Sequence, residues 1–311
     1  MKSTLPILCS LLTLSVSGWL GSERTNVYLD ESENSTMIAP APSPTPTPNR
    51  SKLIPPPGRT LFIVGQDIGS IDEYVQSMGL IPSGVTGYTS LQRLEGLTTA
   101  TDFGAGVHHF DYLAQEYPTS VLVLGFYAVN FLDPIVEGRA EGRIEKFLDY
   151  LERHDRPLYL RFGYEFDGPW NYYEPEKFKL AWRVSYEKMK ERGIDHTAMV
   201  WQSSTHCAGT YKDLPLTAWY PGDEYVDWIG LSYFMPEECD AEPVLDLLQF
   251  AREHQKPVMI AESTPQGYDL RESTFSLDGH EFVKTSPEAI WDQWYQPYFD
   301  LIYSHSDVIR A

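Results

Sequence analysis

From Thr60 onward the chain alternates two hydrophobic rhythms. Seven short, nearly unbroken apolar runs read as buried strands: TLFIVGQD (60–67), GVTGYTS (84–90), SVLVLGFYAV (120–129), RPLYLRFGYE (156–165), TAMVWQSS (197–204), DWIGLSYF (227–234) and KPVMIAES (256–263). Between and after them lie stretches whose apolar positions recur every three or four residues, as on one face of a helix: 70–79, 108–118, 139–154, 174–193, 242–255 and 286–306. Apolar strands alternating with amphipathic helices predict a parallel sheet covered on both faces. Their number and spacing fit a (β/α)8 TIM barrel better than a doubly wound open sheet. No glycine-rich phosphate fingerprint follows the first strand, which continues VGQDIGS. An eighth strand would start at VIRA (308–311), so the expectation is a barrel whose eighth strand is truncated at the C-terminus, or one that closes imperfectly. Two unpaired sheet edges and a marginally stable fold would follow from that.

The pattern is different before residue 59. Residues 1–18 carry Lys2, an apolar run and then Ser17-Gly18, the layout of a secretory signal peptide. Residues 19–58 are polar and then rich in Pro, Thr and Ser (APAPSPTPTPNRS), an extended linker, which leaves 59–311 as the folded unit. Without the signal peptide only Cys207 and Cys239 remain, and in an oxidising compartment they are expected to pair. Asn34 and Asn49 head sequons that matter only in a glycosylating host. A formal net charge of −20 argues against nucleic acid or an anionic membrane as partner. It suits a secreted, extracellular monomer acting on a neutral polymer.

One stretch breaks the apolar rule. In YLRFGYEFDGPW (159–170), Arg161 sits inside a strand, and Glu165 and Asp167 stand at its end. Charges in a strand core are costly unless paired. Active sites of (β/α)8 barrels lie at the C-terminal ends of the strands, where the chain also places Gln66, Asp67, Tyr233 and Glu262. Glu165 and Glu262 end the fourth and seventh strands, facing one another across the mouth. Two such carboxylates suit glycosidic hydrolysis, one protonating the leaving oxygen and the other attacking the anomeric carbon. Arg161, four residues before Glu165, points to the same face by strand alternation and is placed to pair with a carboxylate. Structural readings remain open: a lone strand-end glutamate is as often an ion pair, Asp167 serves the Gly168-Pro169 turn, and of His108 and His109, which could line the cleft, at least one is expected to be solvated or packed in a loop. No ligand spacing suggests a metal or cofactor, and no G-x-S-x-G elbow occurs.

At these residues the chain resembles glycoside hydrolase family 26, retaining β-glycanases on a (β/α)8 barrel. The family pattern of an Arg, a Glu four residues later and a Trp five beyond falls on Arg161, Glu165 and Trp170; its strand-six tyrosine falls on Tyr233 and its nucleophile on Glu262. The resemblance implies that Glu165 is the general acid/base and Glu262 the nucleophile. It also implies that Tyr233 donates a hydrogen bond to Glu262, and that Arg161, Tyr164, Trp170 and Tyr233 border the substrate. Mannan-cleaving members carry His directly before the acid/base, where this chain has Tyr164. LRFGYEFDGPWN and GQDIGSIDEYV look more like the branch that cleaves β-1,3-xylan. The alternatives are an endo-β-1,4-mannanase and a carbohydrate-binding barrel that does not hydrolyse.

Overall fold

Seven strands pair side by side, all parallel and in chain order. A computed structural model of the chain describes residues 52–102, 106–205, 213–234, 242–265, 268 and 286–311. The strands are β1 (Ile63–Val64), β2 (Gly84–Ser90), β5 (Val121–Tyr127), β6 (Leu158–Phe162), β7 (Thr197–Ser203), β8 (Trp228–Tyr233) and β9 (Val258–Ser263). A two-stranded hairpin, β3 (Thr101–Asp102) with β4 (Val107–His108), interrupts the series and has no counterpart in the hydrophobic pattern. Crossovers are made by α1 (Ile68–Met78), α2 (Phe110–Glu116), α3 (Leu132–Val136), α4 (Glu141–Arg153), α5 (Pro175–Glu191) and α6 (Glu242–Glu253), with α7 (Pro287–Ile290) and α8 (Gln296–Ser304) after β9.

Strand alternation divides the core in two. One face of the curled sheet carries Val123, Tyr159, Ala198, Val200, Trp228 and Met259, which pack on each other. The other presents Leu122, Leu124, Leu158, Leu160, Trp201 and Leu231 to helix residues such as Phe147, Leu148, Phe178 and Leu247. Burying each large apolar side chain stabilises by roughly 1.5–3 kcal/mol, so both layers are needed to hold the mouth in shape.

The C-terminal tetrapeptide departs from the unpaired edges that a truncated strand would leave. Val308–Ala311 does not leave the two sheet edges apart. Ile309 bridges Val258 in parallel. The amide of Val258 donates to Val308 (2.8 Å), that of Ile260 to Ala311 (2.9 Å) and that of Leu61, just before β1, to Arg310 (2.9 Å). The Arg310 guanidinium adds bonds to the carbonyls of Pro55 (2.9 Å) and Pro56 (2.8 Å). The fold also starts before residue 59. Tyr159 donates to the Leu53 carbonyl (2.6 Å) and Trp228 to that of Lys52 (2.7 Å), so the end of the expected linker lies against the inner face.

The helix expected over 286–306 is continuous in hydrophobic pattern but not in backbone. Residues Trp291–Tyr295 form a π turn between α7 and α8. Pro297 in the first turn of α8 lacks an N–H and its ring crowds the carbonyl four residues back, so the wider turn relieves the ladder there. The 1–18 and 19–51 segments, the sequons and the Cys207–Cys239 pair fall outside the described residues. Among the described residues no helix is long and apolar enough to cross a membrane.

Candidate active site

β6 stops at Phe162, earlier than its hydrophobic pattern suggests, and the chain turns sharply. Gly163 (φ 52°) and Glu165 (φ 53°) both take left-handed conformations. Glycine is required at 163, because a Cβ there would lie 2.9 Å from the Phe178 ring. For Glu165 the conformation is strained, and such strain persists only where the surroundings impose it. They do so in three ways. The Phe166 amide donates to the Gln202 carbonyl (3.1 Å) while its ring stacks on Trp201 at 4.3 Å. The Asn171 amide group donates to the carbonyls of Glu165 (2.8 Å) and Tyr164 (3.0 Å). Asp167 accepts from the Ser204 amide (2.6 Å) and from the Ser203 hydroxyl, tying the turn to the end of β7. Glu165 is 7% exposed, and its carboxyl accepts from Ser232 Oγ at Oε1 (2.7 Å) and from Trp170 Nε1 at Oε2 (2.9 Å).

Glu262 is aimed by a bulge. β8 and β9 are in register up to Leu231–Ile260, but Ser232 then pairs with Glu262 rather than Ala261. An inserted residue of this kind bends the strand and re-aims the side chains beyond it. Oε1 of Glu262 is met by the Arg161 guanidinium and by the Tyr88 hydroxyl (2.8 Å). Arg161 is wholly buried. Its Nη1 donates to Tyr88 (3.2 Å), its Nε to Gln202 Oε1 (2.7 Å), and its face lies 5.2 Å from the rings of both Tyr88 and Tyr164. Two glycines make room for this cluster. A Cβ on Gly125 would sit 2.5 Å from the Tyr88 ring, and one on Gly230 would sit 2.9 Å from Gln202.

The two carboxyls therefore stand in unlike surroundings. Burial, and then the charge of Glu262, push Glu165 up to about 8 against the opposing bonds from Ser232 and Trp170. At neutral pH it holds a proton. Glu262 shares an oxygen with a guanidinium, which can only donate. Burial pushes the Tyr88 and Tyr164 hydroxyls up, the charge of Glu262 adding to each, so both remain protonated donors. No group of residues able to hold a metal occurs among the described residues.

Residues 138–274, a span that includes both glutamates, match the profile of glycosyl hydrolase family 26. A β-1,3-xylanase from a Vibrio species is 38% identical over 264 residues, 84% of this chain and 57% of its own length. A β-1,3-xylanase from an Alcaligenes species is 38% identical over 264 residues, covering 84% of this chain and 56% of that protein. The chain belongs to glycosyl hydrolase family 26. It spans little more than half the length of these relatives. Among solved structures, a family 26 β-mannanase from Bacteroides ovatus superposes with a TM-score of 0.51 at 14% identity, over 68% of this chain and 73% of that one. A family 26 protein from Muricauda superposes with a TM-score of 0.50 at 12% identity, over 67% of this chain and 78% of that one. At such identities the structures show a shared fold.

Against that family background, the site residues expected from sequence fall into three groups. Glu165, Glu262, Trp170 and Tyr164 all reach the mouth. Trp170 is 38% exposed and its indole folds back over Gly168, where a Cβ would sit 2.7 Å from the ring. Arg161 is at the site but not at its surface. With no exposed area it cannot border substrate, and it lies behind Glu262, Tyr88 and Tyr164. Its alignment with Glu165 does not arise from strand alternation either, since β6 has already ended. Tyr233 ends β8 and packs its ring against Trp294 (5.5 Å) and Tyr298 (5.3 Å), while the hydroxyl seen on Glu262 is that of Tyr88.

Tyr88, Gln202 and Ser232 were not anticipated. The available signal was the one that exposed Arg161: a polar group on the inward-facing alternate of an apolar strand, in TAMVWQSS and DWIGLSYF. His108 is buried edge-on to Tyr88 at 5.4 Å, and burial pulls its pKa down. His109 stacks on Tyr112 at 6.5 Å, and Asp67 caps α1 through the Ser70 amide (3.2 Å).

Proposed function

We propose that this protein is a secreted retaining endo-β-glycanase that cleaves β-1,3-xylan by double displacement. The observation that carries the mechanism is the asymmetry of the two glutamates: a protonated Glu165 in a desolvated niche and Glu262 paired to Arg161 and Tyr88. In the first step a Glu262 oxygen attacks the anomeric carbon while Glu165 passes its proton to the departing glycosidic oxygen. In the second, Glu165, now a carboxylate, takes a proton from water, and the water oxygen displaces Glu262 and regenerates both groups. Tyr164, Trp170 and Tyr233 border the sugar in this reading, and Arg161 acts behind them by holding Glu262.

The substrate rests on the xylanase relatives and on Tyr164. Its ring fills the space between Tyr88 (5.5 Å) and Tyr127 (6.4 Å) beside the Arg161 guanidinium. The net charge of −20 fits an uncharged polymer. The test is product release from β-1,3-xylan, β-1,4-xylan, β-mannan and mixed-linkage β-glucan, with Glu262→Ala alongside. Cleavage of β-1,3-xylan by the parent alone is the expected result. Release from mannan instead would transfer the substrate to β-mannan, and a folded parent that cuts none of the four would end the hydrolytic reading in favour of a binding barrel. Tyr164→His then asks which sugar the mouth is shaped for. It is expected to lower β-1,3-xylan cleavage about tenfold or more, the scale of one lost substrate contact.

A further inference from the structure

The two glutamates are joined by a chain of hydrogen bonds whose direction is forced at its start. Arg161 has donors only. Its Nε is 2.7 Å from Gln202 Oε1, so that atom of Gln202 is the amide oxygen and its amide nitrogen faces the other way. The nitrogen is 3.0 Å from Ser232 Oγ and carries only donors, so the serine oxygen accepts. The Ser232 hydroxyl hydrogen is then left for its one remaining partner among the described residues, Glu165 Oε1, at 2.7 Å. Every link is buried: Arg161 and Gln202 have no exposed area, and Ser232 is 2% exposed.

We propose that Gln202 and Ser232 are positioning residues forming a one-way relay from Arg161, which keeps Ser232 donating to Oε1 of Glu165 and so leaves the transferable proton for the exposed Oε2 side. This rests on the reading of Glu165 as the acid and specifies which of its oxygens faces the leaving group. Oε2 is the oxygen on the Trp170 side, and Trp170 is exposed while Ser232 is not, so the proton sits where a glycan can reach it. The indole N–H at 2.9 Å also only donates, so neither hydrogen-bond partner of the carboxyl among the described residues takes its proton, which is left for the leaving oxygen. The geometry also explains the pairing of Ser232 with Glu262 across the bulge. The bend that aims one glutamate also fixes the residue that orients the other.

The sign of a single titration tests the proposal. A hydrogen bond donated by Ser232 favours the ionised form of Glu165, so its removal raises the pKa. A bond donated by a protonated Glu165 to Ser232 favours the neutral form, so its removal lowers the pKa. Among the described residues, the charged and titratable groups that face Glu165 are Glu262 from β9, Arg161 from β6 and Tyr164 beside it, and none of them changes in the variants. The measurement is the pH dependence of the carboxylic C=O stretch in the infrared, assigned to Glu165 by its loss in Glu165→Gln, which separates it from Asp167 and Asp227.

Ser232→Ala is expected to move that titration upward by about one pH unit. Ser232→Cys, a weaker donor, should move it upward by less, and Ser232→Thr, which keeps the hydroxyl, should restore it. Gln202→Met frees the serine to rotate and should also raise it. A downward or absent shift in the alanine and cysteine variants overturns the relay. Because the readout is not turnover, a parent that titrates as expected but releases no sugar refutes the hydrolytic reading and leaves the relay standing.

Discussion

The two walls of the mouth use the same side chain in opposite ways. On the β6 side, Glu165 is 7% exposed, held in a strained conformation, and given only neutral donors, Ser232 and Trp170. On the β9 side, Glu262 keeps 18% of its side-chain surface and shares an oxygen with a guanidinium and a phenol. The first environment withholds compensation for charge and so keeps a proton at neutral pH. The second supplies compensation. The difference is built by neighbours several strands away, because Gly125 admits the Tyr88 ring and Gly230 admits Gln202. In the proposed mechanism, which glutamate acts as acid and which as nucleophile therefore follows from packing in the layer below the mouth.

The severest way to break the comparison is to remove each carboxyl in turn. Glu262→Ala and Glu165→Ala should each lower β-1,3-xylan hydrolysis by about 10³-fold or more. Their behaviour should separate on an aryl glycoside whose leaving group needs no proton. There the first step survives in Glu165→Ala, seen as a burst of phenol, and is absent in Glu262→Ala. A burst in the Glu262 variant and none in the Glu165 variant would reverse the assigned roles.

Next in size is Arg161→Met. It leaves Glu262, Tyr88 and Gln202 without their common partner. Breaking a buried pair on one side costs about 3–5 kcal/mol, so the melting temperature should fall together with activity. An unchanged melting temperature would mean that the guanidinium contributes little to holding the inner layer.

How much of this was legible depends on how unusual each residue is in its place. Arg161 stood out because an ion in an apolar strand demands a partner, and Glu165 and Glu262 stood out as strand ends. The alternation of strands and helices gave the order of the sheet correctly, since each apolar run had to be buried on both faces. Tyr88 did not stand out, because a tyrosine in a strand is ordinary and nothing local says that its hydroxyl reaches Glu262, 174 positions away. Gln202 and Ser232 depend likewise on neighbours that only the assembled sheet supplies. The tetrapeptide 308–311 is hard to read for a related reason: four residues carry too little pattern to show that they bond both to β9 and to the segment before β1. The early end of β6 was hidden because a left-handed Glu165 is a tertiary imposition that no propensity favours.

A gentler change sharpens the contrast on the Glu262 side. Tyr88→Phe removes one of the two donors on Oε1 while leaving Arg161 and the ring packing in place. The expected loss is on the order of tenfold in kcat, with KM little altered, because the phenol touches the carboxylate and not the sugar. A rise in KM at constant kcat would instead place Tyr88 against substrate.

The smallest effect is on stability, and it tests the Glu165 environment without any substrate. Its pKa is raised in the folded protein, to about 8, above the ordinary carboxyl value near 4.5 in the unfolded chain. Between those values the folded state binds the extra proton, so unfolding free energy falls as pH rises. The contribution is fully present below about pH 4.5, declines through the window, and is lost once pH passes about 8. The slope is at most about 1.4 kcal/mol per pH unit. Asp167 and Asp227, also raised by burial, add slopes of the same sign. Only a difference between proteins isolates one group. Glu165→Gln, which cannot titrate, should lose less stability than the parent from pH 6 to 7, by about 1 kcal/mol in denaturant unfolding. Parallel curves for the two proteins over that range would show that Glu165 is ionised in the folded state, and the contrast between the walls of the mouth would collapse.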